Sequence, residues 1–209
     1  MCAPTFKNIA NLMDIGEPVC VTFDECEVGE SSDLLYCEMI QKARHGESFS
    51  VSAQICLVGA YVLGASYGAP HDYYLKSGRY VDMHAARCAS ESLPRVVKPY
   101  RSIRIEPLSK NKGSFDVLIL YLTPEKAMRI VQAYSYTSGA RVVIDTLGAA
   151  SVCGDCTALA LEKGMGLSFG CKGSRKHSGY SDDEVPLGIA TEFIENIEKG
   201  LKEIPQTWD

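Results

Sequence analysis

The sequence has little positive charge and no long apolar run, and both absences restrict what the protein does. Its 21 lysines and arginines are outnumbered by 26 aspartates and glutamates. A nucleic-acid surface needs a basic field to release phosphate counterions, so we expect no nucleic-acid partner. The longest mostly apolar run, 55–65, is too short to span a bilayer, and the first residues lack a signal-peptide pattern. We therefore expect a cytoplasmic protein that does not insert into membranes.

Motifs for nucleotides and for common metal sites are also missing. The chain has neither a GxxxxGK[ST] phosphate loop nor a strand-linked GxGxxG, so no motif supports nucleotide binding. The four histidines, at positions 45, 71, 84 and 177, form no helical ligand pair of the HExxH kind. The compact cysteine run of bacterial ferredoxins is absent as well.

Cysteine itself is plentiful, since nine are present. An odd number in a chain without a secretory signal argues against a disulfide framework. A chain of 209 residues also buries a sufficient core without such crosslinks. Reduced thiols act as small buried hydrophobic groups, as metal or cluster ligands, or in redox chemistry.

Strand and helix patterns alternate along the chain, which predicts an α/β or α+β fold in a single compact domain over residues 1–209. The clearest helix start is Thr123-Pro124-Glu125, where a capping hydroxyl precedes a first-turn proline and an acid. A last helix is predicted over Leu187–Ile204 and a strand over Arg141–Asp145. The segment Gly68–Tyr80 is rich in aromatic residues and is predicted to be a structured loop.

Two pairs of cysteines repeat one local pattern. In each pair a predicted helix, a glycine and a predicted strand separate the first cysteine from the second, over nineteen residues in one pair and eighteen in the other. The pairs are Cys37 with Cys56 and Cys153 with Cys171. The repeat predicts two similar packed halves, 16–100 and 101–204, related by a pseudo-twofold duplication. The two cysteine pairs would then converge at the axis.

Four thiolates brought together in this way are the ligand set of an iron–sulfur cluster. We therefore predict a cluster, with [4Fe–4S] as the favoured form, bound by Cys37, Cys56, Cys153 and Cys171. Zinc is the alternative metal, although structural zinc usually draws on two tight cysteine pairs and only Cys153–Cys156 is of that kind. In the remaining alternative the protein binds no metal and the thiols are part of the core.

A basic, glycine-containing segment follows the last of these cysteines. Gly173, Arg175 and His177 are predicted to form a loop that binds an anionic ligand such as a carboxylate or a phosphate. The competing interpretation is a solvated loop whose charges are balanced by the carboxylates at 182–184. His71, within the aromatic segment, is a further candidate pocket residue or proton donor.

Several short motifs occur in an order that resembles one protein family. The motifs are Cys37 before a helix, Cys56-x-x-Gly59, Glu106-Pro107-Leu108, Thr123-Pro124-Glu125 and Cys171-x-Gly173-x-Arg175. From about residue 16 to residue 195 the chain resembles domain of unknown function 169. The resemblance implies that the family's recurring cysteines correspond to the four named above. It also implies an origin in anaerobic archaea or bacteria, but it supplies no reaction.

The sequence thus supports three hypotheses of different classes. The first is a cluster-binding protein whose role is redox chemistry or substrate activation, with a small anionic ligand or a redox partner. The second is a metal-free small-ligand-binding or regulatory domain with structural thiols. The third is a thiol or sulfur-transfer enzyme using Cys153 or Cys171. The residues leave open whether the protein is an enzyme and whether it forms a homo-oligomer.

Overall fold

A six-stranded antiparallel sheet is the central element of the fold, which is α+β. The structure is a computed structural model that describes residues 6–52 and 56–205, and the strand and helix counts refer to those ranges. The strands are β1 (Val19–Asp24), β2 (Phe49–Val51), β3 (Ser102–Pro107), β4 (Val117–Leu122), β5 (Met165–Leu167) and β6 (Val185–Ala190). They lie in the order β2-β3-β1-β4-β6-β5, and every neighbouring pair is antiparallel.

Nine α-helices and one π-helix lie on the two faces of this sheet within the described ranges. The α-helices are α1 (Lys7–Ala10), α2 (Tyr36–Arg44), α3 (Leu57–Val62), α4 (His71–Lys76), α5 (Met83–Glu91), α6 (Pro124–Ser138), α7 (Leu159–Lys163), α8 (Lys172–Ser178) and α9 (Thr191–Glu203). The π-helix covers Ser151–Ala158 and continues directly into α7. No helix in the described ranges has both the length and the apolar composition needed to cross a bilayer.

The strand order is symmetrical about the central β1–β4 pair. Exchanging β1 with β4, β2 with β5 and β3 with β6 gives the same order read from the opposite edge of the sheet. In the first half α2 leads through Gly46 into β2, and in the second half α7 leads through Gly164 into β5. Both glycines have the positive φ that favours glycine. This is the topology that a duplication would produce, although the duplication itself stays a prediction. In this strand order β3 lies in the same half of the sheet as β1 and β2, and β4, β5 and β6 form the other half.

The sheet separates two hydrophobic cores. Alternate residues of β1 face opposite sides, so Val19 and Val21 belong to one core and Cys20 to the other. The first core packs α2, α3, α5 and the π-helix on one face, and the second packs α1, α6 and α9 on the other. The central strand β4 is buried along its whole length because it contributes to both cores.

One secondary-structure prediction is confirmed and another is wrong. Thr123 caps α6, because its hydroxyl accepts a hydrogen bond from the backbone N–H of Lys126. The segment Arg141–Asp145, by contrast, is irregular and pairs with no strand in the described part of the sheet. Its Val143 and Ile144 are exposed, so these β-branched side chains do not pack on a sheet face as they would in a strand.

The predicted helix over Leu187–Ile204 is wrong at its start. Residues Val185–Ala190 form β6, which lies between β4 and β5 and is buried on both faces. A continuous apolar run has the same pattern in a buried strand as in a buried helix, so periodicity alone did not separate them. The helix α9 begins only at Thr191.

Candidate metal centre

A cavity of about 740 Å³ lies on the face of the sheet that carries the first core. The four cysteines predicted as ligands all line it: Cys37, Cys56, Cys153 and Cys171. They come from α2, from the residue before α3, from the π-helix and from the residue before α8. Each is a free, partly buried thiol. The cavity therefore brings together residues that are more than a hundred positions apart in sequence.

The second cysteine of each pair lies at an equivalent position in the topology, just before the helix that follows β2 or β5. Cys56 is the residue before α3, and its Sγ accepts a hydrogen bond from the Gly59 N–H at 3.4 Å. Cys171 is the residue before α8, and its Sγ accepts from the Ser174 N–H at 3.3 Å. Both sulfurs thus act as the N-cap acceptor that Ser or Asp usually provides. Backbone N–H donors at sulfur also stabilise a thiolate.

Cys153 owes its position to the π-helix. The helix starts after Ala150, a non-glycine residue in the left-handed region with a φ of 54°. Inside it, the Thr157 hydroxyl donates to the Val152 carbonyl at 2.7 Å and lies 2.9 Å from the Tyr36 hydroxyl of α2. π-helical turns are rare and are frequent at functional sites. This one connects the cavity wall from the second half to α2, which carries Cys37.

The π-helix also packs with its backbone directly against the sheet. Gly166 of β5 and Gly188 of β6 are paired across the two strands. A Cβ on Gly166 would lie 1.8 Å from the Asp155 carbonyl oxygen, and a Cβ on Gly188 would lie 1.7 Å from that of Cys156. Only glycine at both positions allows this approach. The two glycines therefore set the depth at which Cys153 lies in the cavity wall.

Burial controls the protonation of the thiols. It raises the pKa of Cys37 to about 11 and that of Cys153 well above the ordinary value. For Cys153 the next causes are the charges of Cys56, Cys171 and Cys37. The four sulfurs thus lie within electrostatic reach of one another, and without a cation Cys37 and Cys153 are neutral at pH 7. An activated nucleophile needs a lowered thiol pKa, so Cys153 lacks support for that role.

The described residues contain no group of three His, Cys, Asp or Glu side chains close enough to hold a single metal ion. Cys156, the other member of the tight cysteine pair with Cys153, is fully buried and is not among the residues that line the cavity. Burial raises its thiol pKa well above the ordinary value, with the Asp155 charge as the next cause.

The predicted ligand-binding residues divide into two groups. Residues 173–177 are not a loop but part of α8, and Gly173 and His177 line the cavity together with Lys172. His71 begins α4, and neither it nor Arg175 is among the lining residues. The prediction of a loop failed because Cys171 and Ser174 cap each other reciprocally, which starts a helix despite the glycine.

Arg175 is occupied by main-chain carbonyls. Its Nε and Nη2 donate to the Phe169 carbonyl, its Nη1 donates to that of Ser181, and Nη2 also reaches that of Glu184. The guanidinium carbon lies 4.5 Å from the centroid of the Tyr180 ring. Arg175 therefore holds together the connection between β5 and β6, and its donors do not face the cavity.

Sequence reasoning missed the part of the lining that comes from residues 73–80. The segment Gly68–Tyr80, predicted to be a loop, contains α4 and supplies Tyr73, Tyr74, Arg79 and Tyr80 to the lining. The Tyr74 hydroxyl oxygen is buried and has no hydrogen-bond partner among the described residues. The signal for Arg79 was present in the sequence as one of two cations, with Lys76, among the tyrosines at positions 73, 74 and 80.

Comparison with known proteins identifies relatives but no activity. The family model for domain of unknown function 169, described as an uncharacterised ArCR, matches residues 12–200. The chain is 28% identical over 219 residues to Uncharacterized protein MJ0308 of Methanocaldococcus jannaschii, an alignment that covers 97% of this chain and 94% of that protein. No solved structure matches the chain.

Proposed function

The chain belongs to the domain of unknown function 169 family, and we propose that its cavity binds a [4Fe–4S] cluster in the cytoplasm. The ligands would be Cys37, Cys56, Cys153 and Cys171. One observation carries the proposal: two cysteine pairs from topologically equivalent positions line a single cavity. Iron–sulfur clusters are held by cysteine thiolates, and four of them satisfy a cluster of four irons.

The surroundings of the thiols support this ligand set. Main-chain N–H groups already donate to two of the four sulfurs, and such bonds tune clusters in proteins. The partnerless Tyr74 hydroxyl belongs to a phenol whose pKa is raised by burial first and then by neighbours that include Cys153 and Cys171. A buried hydroxyl without an acceptor costs about 1–3 kcal/mol. A thiolate or cluster sulfur would supply the acceptor.

Zinc is the alternative metal, since a tetrahedral site of four cysteines would use the same residues. Structural zinc usually draws on two tight cysteine pairs, and only Cys153–Cys156 is of that kind. Cys156 is fully buried and is not among the residues that line the cavity, so that pair does not present both of its sulfurs there. We therefore rank the cluster above zinc.

When bound through all four cysteines, the cluster would supply one-electron redox chemistry; with only three of them bound, one iron would be open for Lewis-acid activation of a substrate. The chain's own residues would keep the site dry and hold the charge of the thiolates. Gly59 and Ser174 donate N–H groups to sulfur, and the sheet-facing core excludes water behind Cys153. Reduced thiols of this kind persist in the cytoplasm, which agrees with the proposed location.

A metal-free ligand-binding domain is the second candidate. It is favoured by the size of the cavity, because about 740 Å³ lies within the range of small-molecule sites. On that account the thiols would be part of the wall, and replacing all four by serine would leave the fold and the ligand affinity nearly unchanged.

Anaerobic reconstitution with iron and sulfide distinguishes the two candidates. We expect about four irons and four sulfides per chain in the wild type, and a marked loss of both in each single Cys→Ser variant of the four ligands. Cys26→Ser and Cys88→Ser are matched controls, because both residues are exposed and outside the cavity. Circular dichroism checks that the variants fold. Folded wild-type protein that takes up no iron, or ligand variants that load like the controls, would refute the proposal.

A further inference from the structure

We propose that the cavity also holds a small carboxylate with an apolar body, and that Arg79 binds its carboxylate group. The inference rests on the proposed function, since it takes the cysteine end of the cavity to be filled by the cluster. The remaining space is bounded by Arg79 and by aromatic and aliphatic side chains. This ligand would be the substrate, or an effector, that lies beside the cluster.

Arg79 is a cation held in place without an acidic partner. Its backbone N–H donates to the Tyr74 carbonyl at 3.0 Å, which closes the end of α4. Its guanidinium carbon lies 4.6 Å from the centroid of the Tyr73 ring, and its Nη1 donates to the Ser77 hydroxyl at 2.8 Å. In the part of the chain that the structure describes, no carboxylate pairs with Arg79, and its Nε and Nη2 make no hydrogen bond. A fork of donors fixed by stacking suits a planar carboxylate.

A second cation of the cavity favours an anion as well. Lys172 lines the cavity on the α8 side, and His177 of the same helix adds a ring that can donate a hydrogen bond. The acidic residue in the lining is Glu38, whose Oε2 accepts a hydrogen bond from the Leu35 N–H at 2.7 Å in the first turn of α2. Glu38 is therefore engaged by its own helix. A cluster held by four thiolates would itself carry net negative charge, so Arg79 and Lys172 have to offset its repulsion of the carboxylate. Because the surrounding side chains are apolar, the ion pair between the carboxylate and Arg79 would be stronger there than in water.

The remaining lining indicates what the rest of the ligand looks like. Leu57 and Val58 of α3, Tyr73 and Tyr80 around α4, and Leu147 form apolar walls. Small-molecule sites typically combine such walls with a few fixed polar groups that orient the ligand. A carboxylate on an aromatic or aliphatic body matches this combination, whereas a free phosphate would leave the apolar walls without contacts. The substrate class is thus an apolar carboxylic acid.

Calorimetric titration of the cluster-loaded protein tests the assignment. The probes are benzoate, phenylacetate and hexanoate, with benzamide as the neutral analogue of benzoate and inorganic phosphate as the bare anion. We expect at least one carboxylate to bind at millimolar concentrations or tighter, and Arg79→Gln to weaken it roughly 10- to 100-fold. Arg87→Gln is the matched control, because Arg87 is an exposed arginine of the neighbouring helix α5 and should leave binding unchanged.

The outcomes separate this inference from the proposed function. Folded protein that takes up no iron on reconstitution refutes the cluster, and the same titration then shows whether Arg79 binds a carboxylate in the apoprotein. A loaded protein that binds none of the three carboxylates, or binds them equally well after Arg79→Gln, overturns the inference and leaves the cluster standing. Phosphate or benzamide binding as tightly as benzoate would overturn the carboxylate class. A carboxylate-dependent change in the electron paramagnetic resonance spectrum of the dithionite-reduced cluster would support placement beside the iron.

Discussion

Gly166 and Gly188 face each other across the β5–β6 pair, and neither has room for a side chain. The carbonyl oxygens of two consecutive π-helix residues occupy the space where each Cβ would stand. Cys153 lies in the same π-helix, so the fit between sheet and helix determines the position of one predicted cluster ligand. The π-helix is therefore as much a part of the site as its cysteine.

Gly188→Ala is predicted to destabilise the protein. The new methyl group overlaps the Cys156 carbonyl oxygen at 1.7 Å, which forces the π-helix away from the sheet. Overpacking of this kind costs about 1–3 kcal/mol, or more where the backbone resists. Urea denaturation measures it, and Gly113→Ala is the control because a Cβ there meets nothing within 4 Å. Equal free energies of unfolding for the two variants would contradict this packing.

The buried ion pair between Arg44 and Glu184 is predicted to be important for stability. Arg44 is 2% exposed and Glu184 is 7% exposed, and the pair is bidentate. Arg44→Met leaves a buried carboxylate without its partner, which typically costs about 3–5 kcal/mol. Lys42→Ala, which removes the exposed ion pair with Glu47, should cost less than about 1 kcal/mol. Chemical denaturation of both variants checks the difference, and a similar small cost for each would argue against a buried pair.

Cys20 is predicted to make the protein less stable at alkaline pH. Burial first, and then the charges of Glu106 and Glu17, raise the pKa of this thiol above its ordinary value of 9.0. A raised folded-state pKa means that the contribution to stability is complete below the unfolded pKa and falls as pH rises above about 9. The fall is about 1.4 kcal/mol per pH unit for one group.

Replacement of Cys20 by alanine isolates this effect from other titrating groups. The Cys20→Ala variant loses the thiol and leaves a small cavity, so it should be less stable than the wild type at pH 7. The difference in unfolding free energy between the two proteins should shrink between pH 9 and pH 10. A difference that stays constant over that interval would show that the buried thiol does not titrate as described.

Tyr74→Phe should separate the apoprotein from the cluster-bound protein. The Tyr74 hydroxyl has no partner among the described residues, so its removal should leave the apoprotein equally stable or slightly more stable. If the hydroxyl donates to a cluster sulfur, its loss should make the reduction potential more negative, because the donor favours the more negatively charged reduced form. Potentiometric titration measures the shift. Tyr67→Phe, at an exposed ring, is the control, and identical potentials in all three proteins would contradict the role of Tyr74.

The sequence was sufficient to predict that the four cysteines converge, because the helix-glycine-strand unit between the members of each pair is local; their role as ligands stays a prediction. Caps were equally accessible, as at Thr123. The contacts that a long side chain makes in the folded protein could not be predicted from the sequence. Arg175 could be assigned to an anion only if its donors were free, and they are used by the carbonyls of residues 169, 181 and 184, which the turn between β5 and β6 brings together.

Burial was the second quantity that the sequence did not supply. The segment Arg141–Asp145 has the composition of a strand, but no strand within residues 6–52 and 56–205 pairs with it. The composition of the β6 residues suits a helix as well as a strand. They form a strand because they pair with β4 on one side and with β5 on the other. Arg79 was overlooked because only the tertiary structure brings it into the lining of the same cavity as α8.

Native mass spectrometry of protein purified without oxygen tests the central claim most directly. The proposal predicts a single species whose mass exceeds that of the chain by four irons and four sulfides. It also predicts that the cysteines at 37, 56, 153 and 171 resist alkylation until the iron is removed, whereas Cys26 and Cys88 react at once. A folded chain of unmodified mass in which all four cysteines react freely, or one carrying a single zinc ion, would contradict the assignment of an iron–sulfur cluster.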